Sequence, residues 1–332
     1  MLLIRLLMLL FFVVAVVLVL GGVYSAWRIH GISARNVPDG DFAVVDGVRL
    51  HYHHVPASKE TGAKAPVLVF LHGASGNAYD TMLAFKEAFA GQYALLFIDR
   101  PGFGFSERGG DRGNSLEGQA ALVAGLLKHL KTGPVVVVGH SYGAAVTAAL
   151  GLAEPDLIAG MAFIAPVSHP WPGGVAWYHH VAAMPVIGDI FTRTITLPVA
   201  EQLAPNAILN VFAPEAAPDG YGDKIHLPLL YRPENFQANS ADLAGLKENV
   251  TRLSPRYPEL DRPALVITGT EDTVVWPSIH SEGLLRDLPA AELLVLDGAG
   301  HMPHHTRTQD VVAGIERLVD RVVRKDETAA AQ

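Results

Sequence analysis

The chain has 332 residues, of which 50% are hydrophobic and 17% are charged. With 25 basic and 33 acidic side chains the net charge is 25 − 33 = −8, and no basic cluster occurs, which argues against a nucleic-acid partner. The absence of cysteine excludes disulfides, and the 332 − 35 = 297 residues beyond Arg35 suffice for one large α/β domain with an insertion.

The N-terminal segment is predicted to be a membrane helix. Leu6 to Trp27 is a run of 22 residues without a charge, about 33 Å as a helix, which is enough to cross the hydrocarbon of a bilayer. A cleavable signal peptide is the alternative, but the run is long for one and an Ala-x-Ala site is absent. We therefore expect residues 1–35 to form a single-pass N-terminal anchor and juxtamembrane linker that adds nothing to the core. Cleavage would instead leave a secreted or periplasmic protein.

Histidines mark the next predicted strand, Val48–Val55. His51 and His53 share one face of it, and two such side chains can bind zinc. No acidic or cysteine partner lies nearby in sequence, so we favour a solvated or half-buried strand and predict no metal and no cofactor.

Two further apolar segments are each followed by glycine-containing turns. Val67–Leu71 precedes His72-Gly73, and Leu95–Ile98 precedes the run Asp99-Arg100-Pro101-Gly102-Phe103-Gly104-Phe105-Ser106. Both segments read as buried strands. The two glycines of the second turn are not a dinucleotide-binding fingerprint, because no helix opens after them.

The most informative stretch is Gly139-His140-Ser141-Tyr142-Gly143. The strand pattern Val135–Val138 precedes it and the helical pattern Ala144–Leu150 follows it. A serine at a tight strand-to-helix turn is held where a substrate can reach it, and flanking glycines tolerate the close backbone approach. Ser141 is therefore the candidate nucleophile, whereas His140 is interpreted as a structural histidine.

An insertion follows the predicted strand at 161–166. Residues of about 167–258 break the alternation of strand and helix and contain many prolines and aromatic side chains. Such a segment is expected to form a helical cap that lines an apolar pocket. A purely structural excursion is the alternative.

Candidate partners for Ser141 follow two later strand patterns. A serine hydroxyl needs a base, and the base needs an orienting acid. Asp272 follows the strand pattern Ala264–Gly269, with Glu271 and Asp297 as competitors. His301 follows the strand pattern at 292–297, with His304 and His305 as competitors. The order serine, acid, histidine predicts a catalytic triad of Ser141, Asp272 and His301 at the carboxyl edge of the sheet.

These motifs together resemble those of the α/β-hydrolase family. Val67 to Gly73 is similar to the third strand and the His-Gly turn of the oxyanion loop, and Asp99 to Ser106 is similar to the Asp-x-Pro-Gly-x-Gly-x-Ser segment. The resemblance implies a mostly parallel eight-stranded sheet with a helical cap within residues 36–332. It also implies that the backbone amides of Ala74 and Tyr142 form the oxyanion hole.

The resemblance further implies a serine hydrolase that cleaves a carboxylic ester through an acyl-enzyme. The layout of anchor, core and cap is similar to that of membrane-bound monoacylglycerol lipases, so an apolar lipid ester is the expected small-molecule substrate. Carbon–carbon bond hydrolases and perhydrolases use the same triad and stay open as alternatives, as does a binding module without turnover. Epoxide hydrolases and haloalkane dehalogenases carry aspartate in the place of Ser141 and are disfavoured.

Overall fold

A single eight-stranded sheet organises the chain in the computed structural model, which describes residues 1–58 and 65–330. The strands run in the order β1-β2-β4-β3-β5-β6-β7-β8. The first two pair antiparallel, β2 pairs antiparallel with β4, and the other neighbours are parallel, so the predicted mostly parallel sheet is confirmed. The strands are β1 Asp41–Val45, β2 Val48–Val55, β3 Val67–Leu71, β4 Leu95–Ile98, β5 Val135–His140, β6 Ile158–Ile164, β7 Ala264–Gly269 and β8 Ala291–Leu296.

Helices cover both faces of the sheet. One core cluster joins the sheet to the third and fourth helices and the other joins it to the second and twelfth, which explains why the central strands are buried on both sides and read as continuous apolar runs. The helices are α1 Leu2–Arg35, α2 Ala78–Phe85, α3 Leu116–Leu130, α4 Tyr142–Ala153, α5 Trp177–Ala182, α6 Ile187–Phe191, α7 Leu197–Phe212, α8 Tyr221–Lys224, α9 Pro233–Leu253, α10 Pro277–Asp287, α11 Pro303–Thr306 and α12 Thr308–Ala330.

The chain between β6 and β7 is helical and contains α5 to α9. A π-helical segment at Thr192–Thr196 joins α6 to α7, and 3-10 turns at Leu227–Tyr231 and Ser254–Glu259 flank α9. We call this segment, residues 167–258, the cap. Its side chains and the carboxyl edge of the sheet together line one large cavity.

The N-terminal helix α1 differs from the expected anchor and linker because it runs unbroken to Arg35 and packs on the cap. Ile32 is buried in a cluster with Leu197, Leu229 and Tyr231. Arg28 donates to Glu201 of α7 from Nε at 2.8 Å. By length and composition α1 could cross a membrane or serve as a signal sequence, and no residue of its most apolar 18-residue window is buried.

Candidate active site

Ser141 occupies the turn between β5 and α4 in a strained conformation. Its φ is +51° and its ψ is −114°, a region that side-chain-bearing residues rarely adopt. A Cβ on Gly139 would overlap Thr147, and a Cβ on Gly143 would overlap the Leu71 carbonyl oxygen. The two glycines therefore permit the sharp turn that holds Ser141 at the end of its strand.

The structure brings Ser141, His301 and Asp272 together. His301 Nε2 lies 3.1 Å from the Ser141 Oγ, and His301 Nδ1 lies 2.8 Å from Asp272 Oδ2. The second oxygen of Asp272 accepts the backbone N–H groups of Val274 and Val275 at 2.9 Å each. With both carboxylate oxygens engaged, Asp272 can hold one orientation of the imidazole and leave Nε2 facing the serine.

The competing residues lie elsewhere. Glu271 and Asp297 are exposed, so neither replaces Asp272 behind the imidazole. His305 Nε2 lies 2.8 Å from Asp80 Oδ1, and His304 is completely buried beside the same carboxylate. His304 is packed against His140 beneath the site, and neither histidine takes the place of His301.

Two backbone N–H groups flank the space in front of Ser141. Tyr142 is the first residue of α4, where the helix dipole adds positive potential and the N–H has no partner within the helix. Ala74 follows Gly73, whose Cβ position would lie only 3.2 Å from the Ser141 Cβ. Ala74 and Tyr142 also line the cavity. Their N–H groups stay the predicted oxyanion donors.

The peptide that carries the Ala74 N–H is held from behind. The Gly73 carbonyl accepts His72 Nδ1–H at 2.8 Å and Arg100 Nη2–H at 3.2 Å. Burial lowers the pKa of His72 to about 4, so its ring is neutral, and Nε2 accepts the Arg100 N–H at 3.0 Å. The Gly73 carbonyl and the Ala74 N–H belong to one planar peptide. The bonds that hold the carbonyl therefore also fix the direction of the N–H.

The cap is bonded to the next residue of this loop. Ser75 donates its N–H to Asn239 Oδ1 at 2.8 Å, and Asn239 Nδ2 donates to the Ser75 Oγ at 3.2 Å. Ser75 has a φ of +60°, and Asn239 belongs to α9. The loop that carries Ala74 is thus fixed by the cap as well as by the core.

A cavity of about 910 Å³ opens in front of Ser141 and His301. Its volume is near the upper end of the usual range for small-molecule sites. Most of its wall is apolar and comes from the cap. The wall includes Trp171, Phe191, Val199, Leu203, Ile208, Phe236, Leu243 and Leu246.

A buried polar cluster lies beside the site at Asp80. Its Oδ1 accepts the hydroxyl of Tyr221 at 2.8 Å and pairs with His305. Burial opposes ionisation of Asp80, but His305 and His304 outweigh it and lower its pKa well below the usual value. Burial also lowers the pKa of His304 to about 4 and that of His140 well below its usual value.

Asp80, His140 and His304 offer possible ligand atoms within 4.8 Å of one another. Two ligands of one zinc ion are at most about 4.2 Å apart, because Zn–N distances are about 2.1 Å. No step of the chemistry considered below uses a metal at this cluster.

His51 and His53 of β2 are more buried than the expected solvated or half-buried strand. His51 Nδ1 lies 2.7 Å from Asp99 Oδ2, and His51 is completely buried. His53 is 8% exposed and packs against the ring of Tyr79. The acidic partner that was missing nearby in sequence is Asp99, which lies 48 positions downstream. The pair is structural because it ties β2 to the turn after β4.

Sequence reasoning did not single out Arg100, Asn239, Asp242 or Asp80, which support the site. Asn239 and Asp242 lie within the polar pattern of α9, where nothing in the sequence marks the inward-facing side chains. Arg100 appears in the sequence only as part of the Asp99 to Ser106 motif, with no role of its own. The one available signal was a cation two positions after a fully apolar strand.

Comparison with known proteins identifies the family. The model of the Alpha/beta hydrolase family matches residues 68–314. YugF, an uncharacterized hydrolase of Bacillus subtilis, is 26% identical over 280 residues, which are 80% of this chain and 92% of that protein. A 2-hydroxy-6-oxononadienedioate/2-hydroxy-6-oxononatrienedioate hydrolase of Burkholderia vietnamiensis is 27% identical, covering 78% of this chain and 87% of that protein. The mouse sn-1-specific diacylglycerol lipase ABHD11 is 26% identical, covering 76% and 80%.

Solved structures share the fold. An esterase from Thermogutta terrifontis superposes with a TM-score of 0.63 at 20% identity, covering 86% of this chain and 99% of that one. A membrane phospholipase A superposes with a TM-score of 0.63 at 20% identity, covering 96% of this chain and 98% of that one. Since the family model spans residues 68–314, most of the length, and these structures share the architecture, the chain belongs to the alpha/beta hydrolase family.

Proposed function

We propose that the chain is a serine hydrolase that cleaves carboxylic esters with an apolar acyl group and is held at a membrane by α1. The observation that carries the proposal is the hydrogen-bonded series Ser141–His301–Asp272 at the floor of a largely apolar cavity. Nucleophile, base and orienting acid are each within hydrogen-bonding distance of the next, which is the geometry that nucleophilic catalysis needs.

The proposed reaction has two halves. The Ser141 Oγ attacks the ester carbonyl while His301 Nε2 takes its proton, and Asp272 stabilises the imidazolium that forms. Negative charge on the former carbonyl oxygen is met by the N–H groups of Ala74 and Tyr142. His301 then protonates the leaving alcohol. Water, activated by the same imidazole, attacks the acyl-enzyme and releases the acid.

The cap and the N-terminal helix support an apolar, membrane-associated ester. An apolar cavity of about 910 Å³ can enclose a long acyl group. Relatives include a protein named as a diacylglycerol lipase, and the likeness to the membrane phospholipase A extends over 96% of the chain. A site tethered by α1 meets such substrates at high local concentration.

Carbon–carbon bond hydrolysis is the second candidate. A relative is named as a hydrolase of 2-hydroxy-6-oxononadienedioate. The ketone of such a compound has carbon on both sides, so its hydrolysis breaks a carbon–carbon bond. That substrate carries two carboxylates, and the apolar cap wall favours the ester over a dianion.

A fluorophosphonate probe tests the serine mechanism. The wild-type chain should be labelled covalently, and Ser141→Ala should not. Ser75→Ala is the matched control and should still be labelled. Ser75 also lines the cavity, but its side chain is bonded to Asn239 and, within the described part of the chain, to no histidine. Wild-type protein that stays unlabelled would favour ligand binding without turnover.

Steady-state kinetics tests the acid. Asp272→Asn should lower kcat for p-nitrophenyl butyrate by about 10⁴-fold, because the amide no longer favours the productive imidazole tautomer. Asp297→Asn, at an exposed position after β8, should leave kcat unchanged. Equal losses in the two variants would remove Asp272 from the mechanism. Turnover of a 6-oxodienedioate faster than any ester would favour the second candidate.

A further inference from the structure

Helix α1 and the cap run side by side in one register. The Cβ position of Gly21 in α1 meets the Thr194 carbonyl oxygen. Further along, Arg28 is bonded to Glu201. In each pair the two residues are 173 positions apart in sequence. The stretch from Thr194 to Glu201 therefore runs parallel to residues 21–28 of α1 with the same rise per residue.

The part of α1 that stands clear of the cap is too short to cross a bilayer by itself. Arg5 is charged and belongs outside the hydrocarbon, and Leu18 is the first large side chain of α1 that is partly covered. The 12 residues from Leu6 to Val17 measure about 18 Å, whereas the hydrocarbon core is about 30 Å thick. The missing length of about 12 Å is eight residues, from Leu18 to Ser25.

Within those eight residues the packing of α1 on the cap begins. Ser25 is completely buried, and Gly21 touches Thr194. An α1 that crosses the membrane therefore carries the adjoining part of the cap into the hydrocarbon with it. This step rests on the membrane anchoring proposed above.

The cap presents large apolar side chains at that level. Continuing the helical stretch from Thr194 back to Ile187 with the same rise per residue brings Ile190 to the level of Val17 and Ile187 to the level of Val14, although these turns of α1 stand clear of the cap. Ile187 is 56% exposed in the described part of the chain. We call the following set the cap face: Val186, Ile187, Ile190, Ile195, Val199 and Leu203.

The ionic side chains near the cap face are paired. Arg193 Nε donates to Asp189 Oδ1 at 2.7 Å, and Arg28 is paired with Glu201. Tyr24 donates to the same Glu201 carboxylate at 2.7 Å. Tyr24 and the Arg28–Glu201 pair lie at the end of the apolar stretch, and such groups are typical of the boundary between hydrocarbon and headgroups.

Three residues of the cap face, Ile195, Val199 and Leu203, also line the cavity and are at least 37% exposed. Trp177 and Tyr178 of α5 extend the same rim. In water, these side chains would form a large exposed apolar patch, which soluble monomers rarely have.

We infer that the cap face is embedded in one leaflet of a lipid bilayer and that the cavity takes its ester directly from the hydrocarbon. This inference limits the substrates to esters dissolved in the membrane. They would pass laterally from the bilayer into the cavity, and the acyl chain would stay in apolar surroundings at every stage. Such a substrate never crosses water, so the cost of exposing its chain is avoided.

The chain has no cysteine, so single labels report the depth of chosen positions without background. Ile187→Cys in the full chain, carrying an NBD label in phosphatidylcholine vesicles, should be quenched by 12-doxyl phosphatidylcholine and be inaccessible to aqueous iodide. Val295→Cys, at an exposed apolar position on β8, should show the reverse. Iodide quenching at Ile187 would overturn the inference. The inference would also be overturned if neither quencher reached the label and the particle had twice the expected mass, because a second copy of the chain would then cover the cap face.

Activity gives the second readout. Ile187→Glu together with Ile190→Glu should reduce hydrolysis of a long-chain ester dissolved in the vesicles by about tenfold or more, since charge in hydrocarbon is strongly disfavoured. Hydrolysis of water-soluble p-nitrophenyl butyrate in detergent should not change, because neither side chain lines the cavity. Equal rates on the vesicle substrate would refute sideways entry. A wild-type chain that cleaves neither ester would refute the hydrolase proposal, while the label would still report the position of the cap face.

Discussion

The guanidinium of Arg100 lies 2.8 Å from the carboxylate of Asp242, and both side chains are completely buried. Arg100 also donates to the carbonyl oxygens of His72 at 2.9 Å and Gly73 at 3.2 Å. Asp242 belongs to α9 of the cap and accepts Arg108 at 2.6 Å on its other oxygen. One ion pair thus joins the cap, the turn after β4 and the loop that carries Ala74.

We expect Asp242→Asn to destabilise the protein by about 3–5 kcal/mol, because the variant leaves the buried Arg100 charge without its counter-ion. The free energy of unfolding from urea titration measures the loss. Glu259→Gln is the matched control. It breaks the exposed pair with Arg256, and the free energy of unfolding should barely change because solvent screens this pair. Similar values for the two variants would mean that Arg100 is balanced by other groups.

Gly73→Ala should lower kcat by about 10²-fold with little loss of fold. The new methyl group would lie 2.8 Å from His140 Nδ1 and 3.2 Å from the Ser141 Cβ, so the loop or the serine must shift. Gly174→Ala is the control, because its Cβ would meet nothing within 4 Å. Kinetics on a short soluble ester measures both. Unchanged kcat in Gly73→Ala would show that the loop tolerates displacement.

Stability should fall as the pH drops below about 6.5. Burial lowers the pKa of His72, His179, His280 and His304 to about 4 each. An unfolded histidine has a pKa of about 6.5, so between these values the unfolded chain binds more protons and gains relative stability as the pH falls. The contribution is fully present above pH 6.5 and is lost towards pH 4.

Urea titrations at pH 7.5, 6.5 and 5.5 measure this loss, which we expect to reach up to about 1.4 kcal/mol per buried histidine at pH 5.5. His304→Gln should flatten the slope, whereas His129→Gln, at an exposed position, should not. A free energy that stays level over this range would contradict the assignment of these rings as neutral.

Removal of residues 1–35 should destabilise the cap, contrary to the expectation that the segment adds nothing to the core. The deletion uncovers Leu197 and Tyr231, which pack on Ile32, and should cost about 2–5 kcal/mol. Removal of residues 1–17 should leave Tm unchanged, because those turns stand clear of the cap. Equal Tm values for the two truncations would show that α1 is only a tether.

The placement of Ser141, Asp272 and His301 was open to prediction because each follows an apolar strand with a recognisable pattern. Parallel strands end at one edge, so side chains at those ends must meet. Their surroundings were not predictable in the same way. Asn239 and Asp242 lie on a helix whose polar side chains look alike in sequence, and only the docking of α9 decides which of them face inward.

The contact between α1 and the cap was hidden for a related reason. The run from Leu6 to Trp27 shows only that a helix is apolar, whereas its register depends on a close approach at Gly21 and a bond at Arg28. Both partners, Thr194 and Glu201, lie in the cap, whose apolar residues follow no single period over its length. Long-range pairings of this kind leave no local pattern.

Three positions on one face of α9 hold the catalytic loops. Asn235 donates to the Gly102 carbonyl at 2.8 Å, Asn239 accepts the Ser75 N–H, and Asp242 pairs with Arg100. A cap transplanted from a relative would arrive without these attachments unless the three side chains came with it. Engineering a new preference by exchanging caps would therefore also mean rebuilding the floor on which the reaction takes place.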